Sequence, residues 1–196
     1  PEVSMSNSDT PITCADIPVG KTVTVKVPAS SANLGPGYDT LGLALGFYDE
    51  LRVERISEGL EFELSGEGSE AVPRDETHLV IQAMRSTFEK VGLHDFPALR
   101  LKAHNRIPHS RGMGSSASAI VAGVAAASGL LPGHAQLSRD QILQVASDLE
   151  GHPDNVAPSV YGSLSISWGE LGDWRSLIVP VHSAGIPIVA VPDYEV

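Results

Sequence analysis

Alternation of polar and apolar residues predicts a series of short strands. Residues 21–27 (KTVTVKV) change character at almost every position, which is typical of a half-buried strand, and Pro28 is expected to end it. A loop of small residues is predicted over 29–40. Further strands are predicted around 48–56 and at 60–64, 99–103, 164–168, 176–181 and 186–191.

Apolar stripes with helical spacing predict three helices between these strands. Residues 77–92 form the first, with Thr77 as its N-cap and Gly92 at its end. The second, at 117–131, is rich in alanine, and the third occupies 138–150. Strands and helices mixed in this order indicate an α+β fold, in which helices cover one side of a mostly antiparallel sheet.

Composition narrows the classes of function. The 196 residues carry a formal net charge of −11 and 42% hydrophobic residues, which indicates a globular chain with no general affinity for nucleic acid or an anionic membrane. No apolar run is long enough to span a membrane. The single cysteine, Cys14, excludes an internal disulfide and fits a cytoplasmic location. A homodimer is a reasonable expectation for a globular protein.

The stretch 106–119 (RIPHSRGMGSSASA) carries the clearest chemistry. Gly112 and Gly114 let the backbone approach an anion closely. Ser115 and Ser116 add hydroxyl donors before a helix whose positive N-terminal end points to the same place. The alternative is an ordinary N-cap in front of a buried helix. Because no lysine follows Gly114, the stretch is not a Walker loop.

Two further segments concentrate polar side chains. The loop at 28–39 (PASSANLGPGYD) offers the amide of Asn33 and the carboxylate of Asp39, and a turn with polar side chains is the alternative interpretation. The segment 150–158 (EGHPDNVAP) suits a hard cation or a polar substrate better than zinc, with helix-end capping as the alternative. Its polar residues are Glu150, His152, Asp154 and Asn155.

Taken in this order, the three segments resemble the GHMP kinases and, within them, the homoserine kinase family, in a form similar to actinobacterial members. The resemblance implies an α+β GHMP kinase N-terminal domain of the ribosomal protein S5 domain 2-like type, followed by the start of a ferredoxin-like domain. It implies a loose leader at 1–20, an ATP-binding domain at 21–163 and the beginning of a truncated second domain at 164–196. Because family members continue further, the chain is expected to be truncated, and slow or inactive alone.

The resemblance implies ATP-dependent phosphorylation of the L-homoserine hydroxyl to O-phospho-L-homoserine, a step of threonine biosynthesis. Mg²⁺ would be held by Glu150 and Ser116, with Asp148 as the competing ligand. Catalytic roles would fall to Asp154 and Asn155. The substrate would be bound by Asn33, Asp39, His152 and Asn155. The ATP phosphates would be wrapped by Pro108, His109, Ser110, Arg111, Gly112, Met113, Gly114, Ser115, Ser116, Ala117 and Ser118.

No residue of this set is identified as a general base, although Asp39 and Asp154 are candidates. Phosphoryl transfer tolerates this, because positioning and charge neutralisation supply most of its rate. Two other functions stay open. One is a related GHMP kinase that acts on another small alcohol, and the other is a non-catalytic protein that keeps the fold for binding.

Overall fold

The computed structural model describes residues 11–182 and 184–191. Within these residues a short 3-10 turn at Cys14–Asp16 precedes six strands and four helices. In chain order these are β1 (Thr22–Ala32), β2 (Leu41–Arg55), β3 (Leu60–Gly66), α1 (Leu79–Lys90), β4 (Leu99–Asn105), α2 (Ser115–Leu130), α3 (Arg139–Glu150), α4 (Val156–Tyr161), β5 (Leu164–Glu170) and β6 (Asp173–Val179). A second 3-10 turn, Gly133–Ala135, lies between α2 and α3.

The long strand β2 organises the sheet. Antiparallel to β1 along most of its length, it also pairs with β5 through its first residues (Leu41–Leu43) and with β4 through its last (Glu50–Arg55). The strand order along the sheet is β3-β4-β2-β5-β6. Strand β1 lies outside this path and pairs with β2. Among the strands of the described residues only β3 and β4 pair in parallel, so the predicted mostly antiparallel sheet is confirmed.

The two faces of the sheet differ in polarity, as alternation requires. On one face Val27, Leu51 and Leu101 are buried in a core that also contains side chains from the first three helices. On the other face opposite charges pair across neighbouring strands, for example Lys26 with Glu50 at 3.1 Å. Helices therefore cover one side of this part of the sheet, in agreement with the predicted α+β arrangement.

Helix boundaries were predicted within a few residues, with one cap assigned wrongly. The N-cap of α1 is His78, whose Nδ1 accepts the Val80 N–H at 3.2 Å; the amide and hydroxyl of Thr77 are instead bonded to Asp75. Helix α2 starts at Ser115, two residues before the predicted start. The third predicted helix is confirmed, since Ser138 forms a capping box and Gly151 ends the helix with φ 91°.

Three strand predictions need correction. Pro28 does not end β1, because the register with β2 shifts between Pro28 and Ser30, where the extra residues belong to β2, and pairing then resumes. Because β1 continues to Ala32, the predicted loop shrinks to residues 33–40, and β2 begins at Leu41, several residues before the predicted strand at 48–56. The predicted strand at 186–191 is irregular, and its side chains are exposed.

The start and the end of the described chain bear on the predicted domains. Residues 1–10 of the predicted leader lie outside the described residues, and of the remainder Ile17 is buried in the core. Strand β5 continues the same sheet by pairing with β2. The boundaries at residues 20 and 163 stay predictions. In the described part of the chain, no helix is long and apolar enough to cross a membrane.

Candidate active site

The segment at residues 106–118, called here the glycine-serine loop, joins the end of β4 to the first turn of α2. Ser110, Gly112 and Gly114 all have positive φ, at 53°, 68° and 67°. Gly114 is the N-cap of α2, and it has no side chain that could accept the first N–H groups of the helix. A 16-residue helix thus begins with uncapped donors beside a tight turn, which is the arrangement that binds phosphate.

Gly114 lies at a junction with two other segments. A Cβ at this position would overlap Ser30 Oγ from β1 and would lie 2.9 Å from Asn155 Oδ1. These two side chains are bonded to each other, since the Ser30 hydroxyl donates to Asn155 Oδ1 at 2.9 Å. Glycine is therefore required at 114 both for its positive φ and for the close approach of Ser30 and Asn155.

The two predicted metal ligands are brought together by α2 and α3. The Ser116 hydroxyl donates to Glu150 Oε1 at 2.6 Å, across 34 residues of sequence. Asp148, the competing ligand, is engaged elsewhere, because its Oδ1 accepts the Trp174 indole N–H at 2.8 Å and the Gly172 N–H at 2.9 Å. The structure therefore favours Glu150 over Asp148.

The donor set at Glu150 fits a magnesium ion. Among the described residues no group of three or more histidine, cysteine, aspartate or glutamate side chains could hold a metal. Mg²⁺ does not need such a group, since it commonly takes one or two carboxylates and completes its shell with water and phosphate oxygens. A carboxylate and a hydroxyl next to an anion-binding turn match this requirement.

The segment at residues 150–155, called here the acidic loop, is ordered by Asp154. This side chain is 1% exposed, and its Oδ1 lies 2.5 Å from His152 Nδ1 and accepts the Asn155 N–H at 2.8 Å. The contact engages Nδ1 of His152 and leaves its Nε2 for another partner. The second oxygen, Oδ2, is buried and has no hydrogen-bond partner among the described residues.

The loop between β1 and β2 adjoins the acidic loop. Asn33 and Asp39 both have positive φ, at 58° and 52°, and Asn33 Oδ1 accepts the Asp39 N–H at 2.8 Å. Both residues are exposed. Just after this loop Gly42 packs directly against the Asp154 carbonyl, where a Cβ would not fit. The turn interpretation of this loop is thus correct for its shape, and the contact places it beside the acidic loop.

Several residues of the glycine-serine loop serve its packing. Ile107 and Met113 are buried in a small apolar cluster with Ala29 and Leu45. Ala117 and Ser118 are fully buried, so these residues have no exposed side chain to offer a nucleotide. His109, by contrast, packs against Gly68 in the turn after β3, where a Cβ would collide with its ring. The exposed members include Gly112 and Ser116.

Two residues in contact with this loop were missed by the sequence analysis. Ser30, described above, lies inside the quoted 28–39 motif but was not singled out. Asp49 of β2 accepts the N–H groups of Arg106 and Ile107 at 2.6 and 3.0 Å. Burial raises the pKa of Asp49, against the lowering effect of those two bonds. The sequence offered a signal for Asp49, because strand alternation places it on the same inward face as Leu51 and Val53.

Two open surface cavities lie away from this site. One, of about 370 Å³, is lined by residues near the start of β1 and the end of β2, among them Arg55, and by Arg100 of β4. The other, of about 360 Å³, lies near the register shift between β1 and β2 and near α4, and its lining includes Lys26 and Arg139. Neither is lined by a residue of the glycine-serine loop or of the acidic loop.

Comparison with known proteins gives matches over most of the chain. Residues 78–163 match the family model of the GHMP kinases N terminal domain. The homoserine kinase of Leifsonia xyli subsp. xyli is 53% identical over 175 residues, which are 89% of this chain and 54% of that protein. The homoserine kinase of Corynebacterium aurimucosum is 50% identical over 187 residues, 92% of this chain and 60% of that protein. The chain thus spans little more than half the length of these relatives.

Solved structures match the fold. The homoserine kinase of Cytophaga hutchinsonii superimposes with a TM-score of 0.71 at 27% identity, over 83% of this chain and 53% of that one. The mevalonate kinase of Methanococcus jannaschii superimposes with a TM-score of 0.60 at 16% identity, over 81% of this chain and 56% of that one. At such low identity the second match supports the fold alone.

Proposed function

Because this chain carries a GHMP kinase N-terminal domain, we propose that it serves ATP-dependent phosphorylation of L-homoserine to O-phospho-L-homoserine. The observation that carries the proposal is the contact between Ser116 and Glu150, beside the junction of Gly114, Ser30 and Asn155. At this point a turn suited to phosphate, a carboxylate suited to Mg²⁺ and an amide suited to a substrate hydroxyl meet.

In the proposed complex the glycine-serine loop binds the ATP phosphates through its backbone N–H groups and the start of α2. Glu150 and Ser116 hold Mg²⁺, which supplies neutralisation of the phosphate charge when bound. The oxygen set supports this assignment, because carboxylate and hydroxyl are hard ligands of the kind magnesium prefers.

Homoserine is proposed to bind on the side of the acidic loop. With its Oδ1 engaged by Ser30, Asn155 has its amide NH₂ available to donate to the substrate hydroxyl. His152 offers Nε2, because Nδ1 is held by Asp154. Asp39, which is exposed on the neighbouring loop, suits the ammonium group. Asp154 acts by holding His152 and Asn155 in place, so no residue is assigned as a base.

The cellular setting is part of the same proposal. We propose a cytoplasmic protein that binds neither nucleic acid nor an anionic membrane, because its net charge of −11 is repelled by both. A homodimer is proposed as the assembly on general grounds. Size-exclusion chromatography with light scattering measures the assembly directly.

The test of the function is a coupled assay of ADP release with Mg-ATP and L-homoserine. It is run on this chain and on a chimera that continues the chain with the part of the Leifsonia xyli relative that it does not cover. We expect homoserine-dependent ADP release from the chimera, and none when mevalonate or galactose replaces homoserine. Activity with one of those alcohols instead would assign another GHMP substrate, and no activity with any would favour a non-catalytic role.

A further inference from the structure

Asp49 occupies an unusual position in β2. Asp49 lies two residues after Phe47, which packs against the small apolar cluster, and two residues before Leu51, which is 4% exposed, so its carboxylate points toward the covered side of the sheet. Charged side chains are seldom placed there unless they are paired. No lysine or arginine in the described part of the chain forms a salt bridge with Asp49, and its bonds go to backbone N–H groups and a hydroxyl.

Those bonds reach both ends of the glycine-serine loop. Pairing between β2 and β4 stops at Glu50 and His104, and the next strand residue of β2 is Asp49 itself. Its Oδ1 accepts the N–H groups of Arg106 and Ile107, where the chain leaves the sheet. Its Oδ2 accepts the Ser118 hydroxyl at 3.5 Å, in the first turn of α2. One side chain thus joins the entry and the exit of the loop.

Partial burial of the Asp49 carboxylate is unfavourable because the charged group loses contact with water. Burial raises the pKa of Asp49, while its hydrogen bonds and the charge of His109 act in the opposite direction. A neutral or apolar residue would avoid this cost of desolvation. A carboxylate oxygen, however, accepts two adjacent N–H groups with good geometry, which an apolar side chain does not do.

We propose that Asp49 is a positioning residue for phosphate binding, which fixes the two ends of the glycine-serine loop so that its N–H groups converge on the nucleotide. This inference rests on the proposed function, because it takes the ligand of the loop to be ATP. Asp49 acts through the loop backbone and does not touch the nucleotide. Its role is the geometry of an acceptor, since a negative charge near a phosphate would by itself weaken binding.

Substitutions at 49 separate geometry from charge. Asp49→Asn keeps an oxygen that accepts the Arg106 and Ile107 N–H groups, and it removes the charge. Asp49→Glu keeps the charge on a side chain one methylene longer, which displaces the acceptor. Asp49→Ala removes both. Ser128→Ala is the matched control, because Ser128 is buried and, like Asp49, accepts a backbone N–H, that of Leu137 at 2.8 Å, at the far end of α2.

The experiment measures amide hydrogen exchange at Arg106 and Ile107 without nucleotide, and the Kd for Mg-ATP by titration calorimetry. For Asp49→Ala we expect both the exchange rates and the Kd to rise about tenfold or more, because the acceptor of the Arg106 and Ile107 N–H groups is lost. Asp49→Asn is expected to restore both to within about threefold of the wild type. Ser128→Ala should lower the urea midpoint without changing either quantity.

Each outcome has a defined meaning. Wild-type affinity in Asp49→Ala would overturn the inference, as would Asp49→Asn binding as weakly as Asp49→Ala, because charge would then matter rather than geometry. If Asp49→Ala does not fold, Asn binding better than Glu supports the inference, and the reverse order overturns it. Absence of Mg-ATP binding in the wild type would instead contradict the proposed function, and the inference with it.

Discussion

The glycine-serine loop and the acidic loop meet at Gly114, Ser30 and Asn155, yet one offers backbone groups to a ligand and the other offers side-chain groups. The first presents backbone N–H donors, and its shape depends on positive φ angles and on an acceptor from β2. The second presents side-chain oxygens and an imidazole, which are ordered by bonds between side chains. Substitutions should therefore damage the first loop by sterics and the second by chemistry.

The largest effect is expected at the junction itself. In Gly114→Ala the new Cβ overlaps Ser30 Oγ, and the residue must keep φ near 67°. We expect the free energy of unfolding to fall by about 2–4 kcal/mol and Mg-ATP binding to be lost. Urea denaturation and calorimetry measure the two. Gly133→Ala is the control, because no atom lies within 4 Å of its Cβ; equal effects in both variants would contradict a special role for Gly114.

Glu150→Gln should change binding without changing stability. The exposed contact with Ser116 can persist, but the carboxylate is lost, so we expect the Kd for Mg-ATP to rise about tenfold to a hundredfold. Stability should stay within about 0.5 kcal/mol of the wild type. A titration repeated with EDTA supplies the metal-free reference. If Glu150→Gln binds Mg-ATP as the wild type does, Glu150 is not the metal ligand.

Asp148→Ala, on the same helix as Glu150, should change stability without changing binding. Its loss removes acceptors from the Trp174 indole and the Gly172 N–H, so we expect a loss of about 1–3 kcal/mol in the free energy of unfolding. The Kd for Mg-ATP should not change. Weaker binding without weaker folding would exchange the roles assigned to Asp148 and Glu150.

A smaller effect is expected from the serine that links the two loops. Ser116→Ala removes one neutral ligand and one hydrogen bond to Glu150, so we expect the Kd for Mg-ATP to rise roughly threefold to tenfold. Ser115→Ala tests the neighbouring hydroxyl of the same turn, which does not contact Glu150 in the structure. Identical losses in the two variants would show that the contact with Glu150 has no part in binding.

The smallest effect lies outside both loops, at the N-cap of α1. Burial lowers the pKa of His78, and Asp75 opposes this only in part. The unfolded chain therefore binds a proton more readily at this site than the folded chain does. The stabilising contribution of neutral His78 is present above the unfolded pKa of about 6.5 and is lost as the pH falls through the folded pKa.

Chemical denaturation of the wild type and His78→Asn between pH 4 and pH 8 tests this sign. Asparagine is a good N-cap that does not titrate, so the stability of the wild type relative to the variant should fall with acidification. A difference that is independent of pH would contradict the burial of a neutral His78. Neither loop is involved, so Mg-ATP affinity at neutral pH should be alike in the two proteins.

Local patterns were sufficient for much of the fold. The alternation at 21–27 and the Ser138 and Gly151 boundaries of α3 follow from short-range rules, and the structure agrees. The strand predicted at 186–191 was wrong because an apolar run does not by itself supply a pairing partner. The short helix α4 was missed, since it occupies a segment in which polar motif residues obscure any periodicity.

The site was predictable as a set of motifs but not as an arrangement. Glu150 and Ser116 could be named together from the family resemblance, whereas the choice against Asp148 required its bonds to Trp174 and Gly172. Ser30 and Asp49 depend on contacts between distant strands and loops, which no local pattern encodes. Of these two residues, only Asp49 could have been noticed in the sequence, as a charged residue at an inward-facing position of a strand.

The most direct test of the central claim is an NMR titration of the chain with Mg-ATP, which follows the backbone amides. Saturable shifts should concentrate at residues 112–118 and at Glu150, and they should weaken sharply in Glu150→Gln. Shifts centred on either surface cavity, near Arg55 or near Arg139, or no saturable shift at all, would contradict nucleotide binding at the glycine-serine loop.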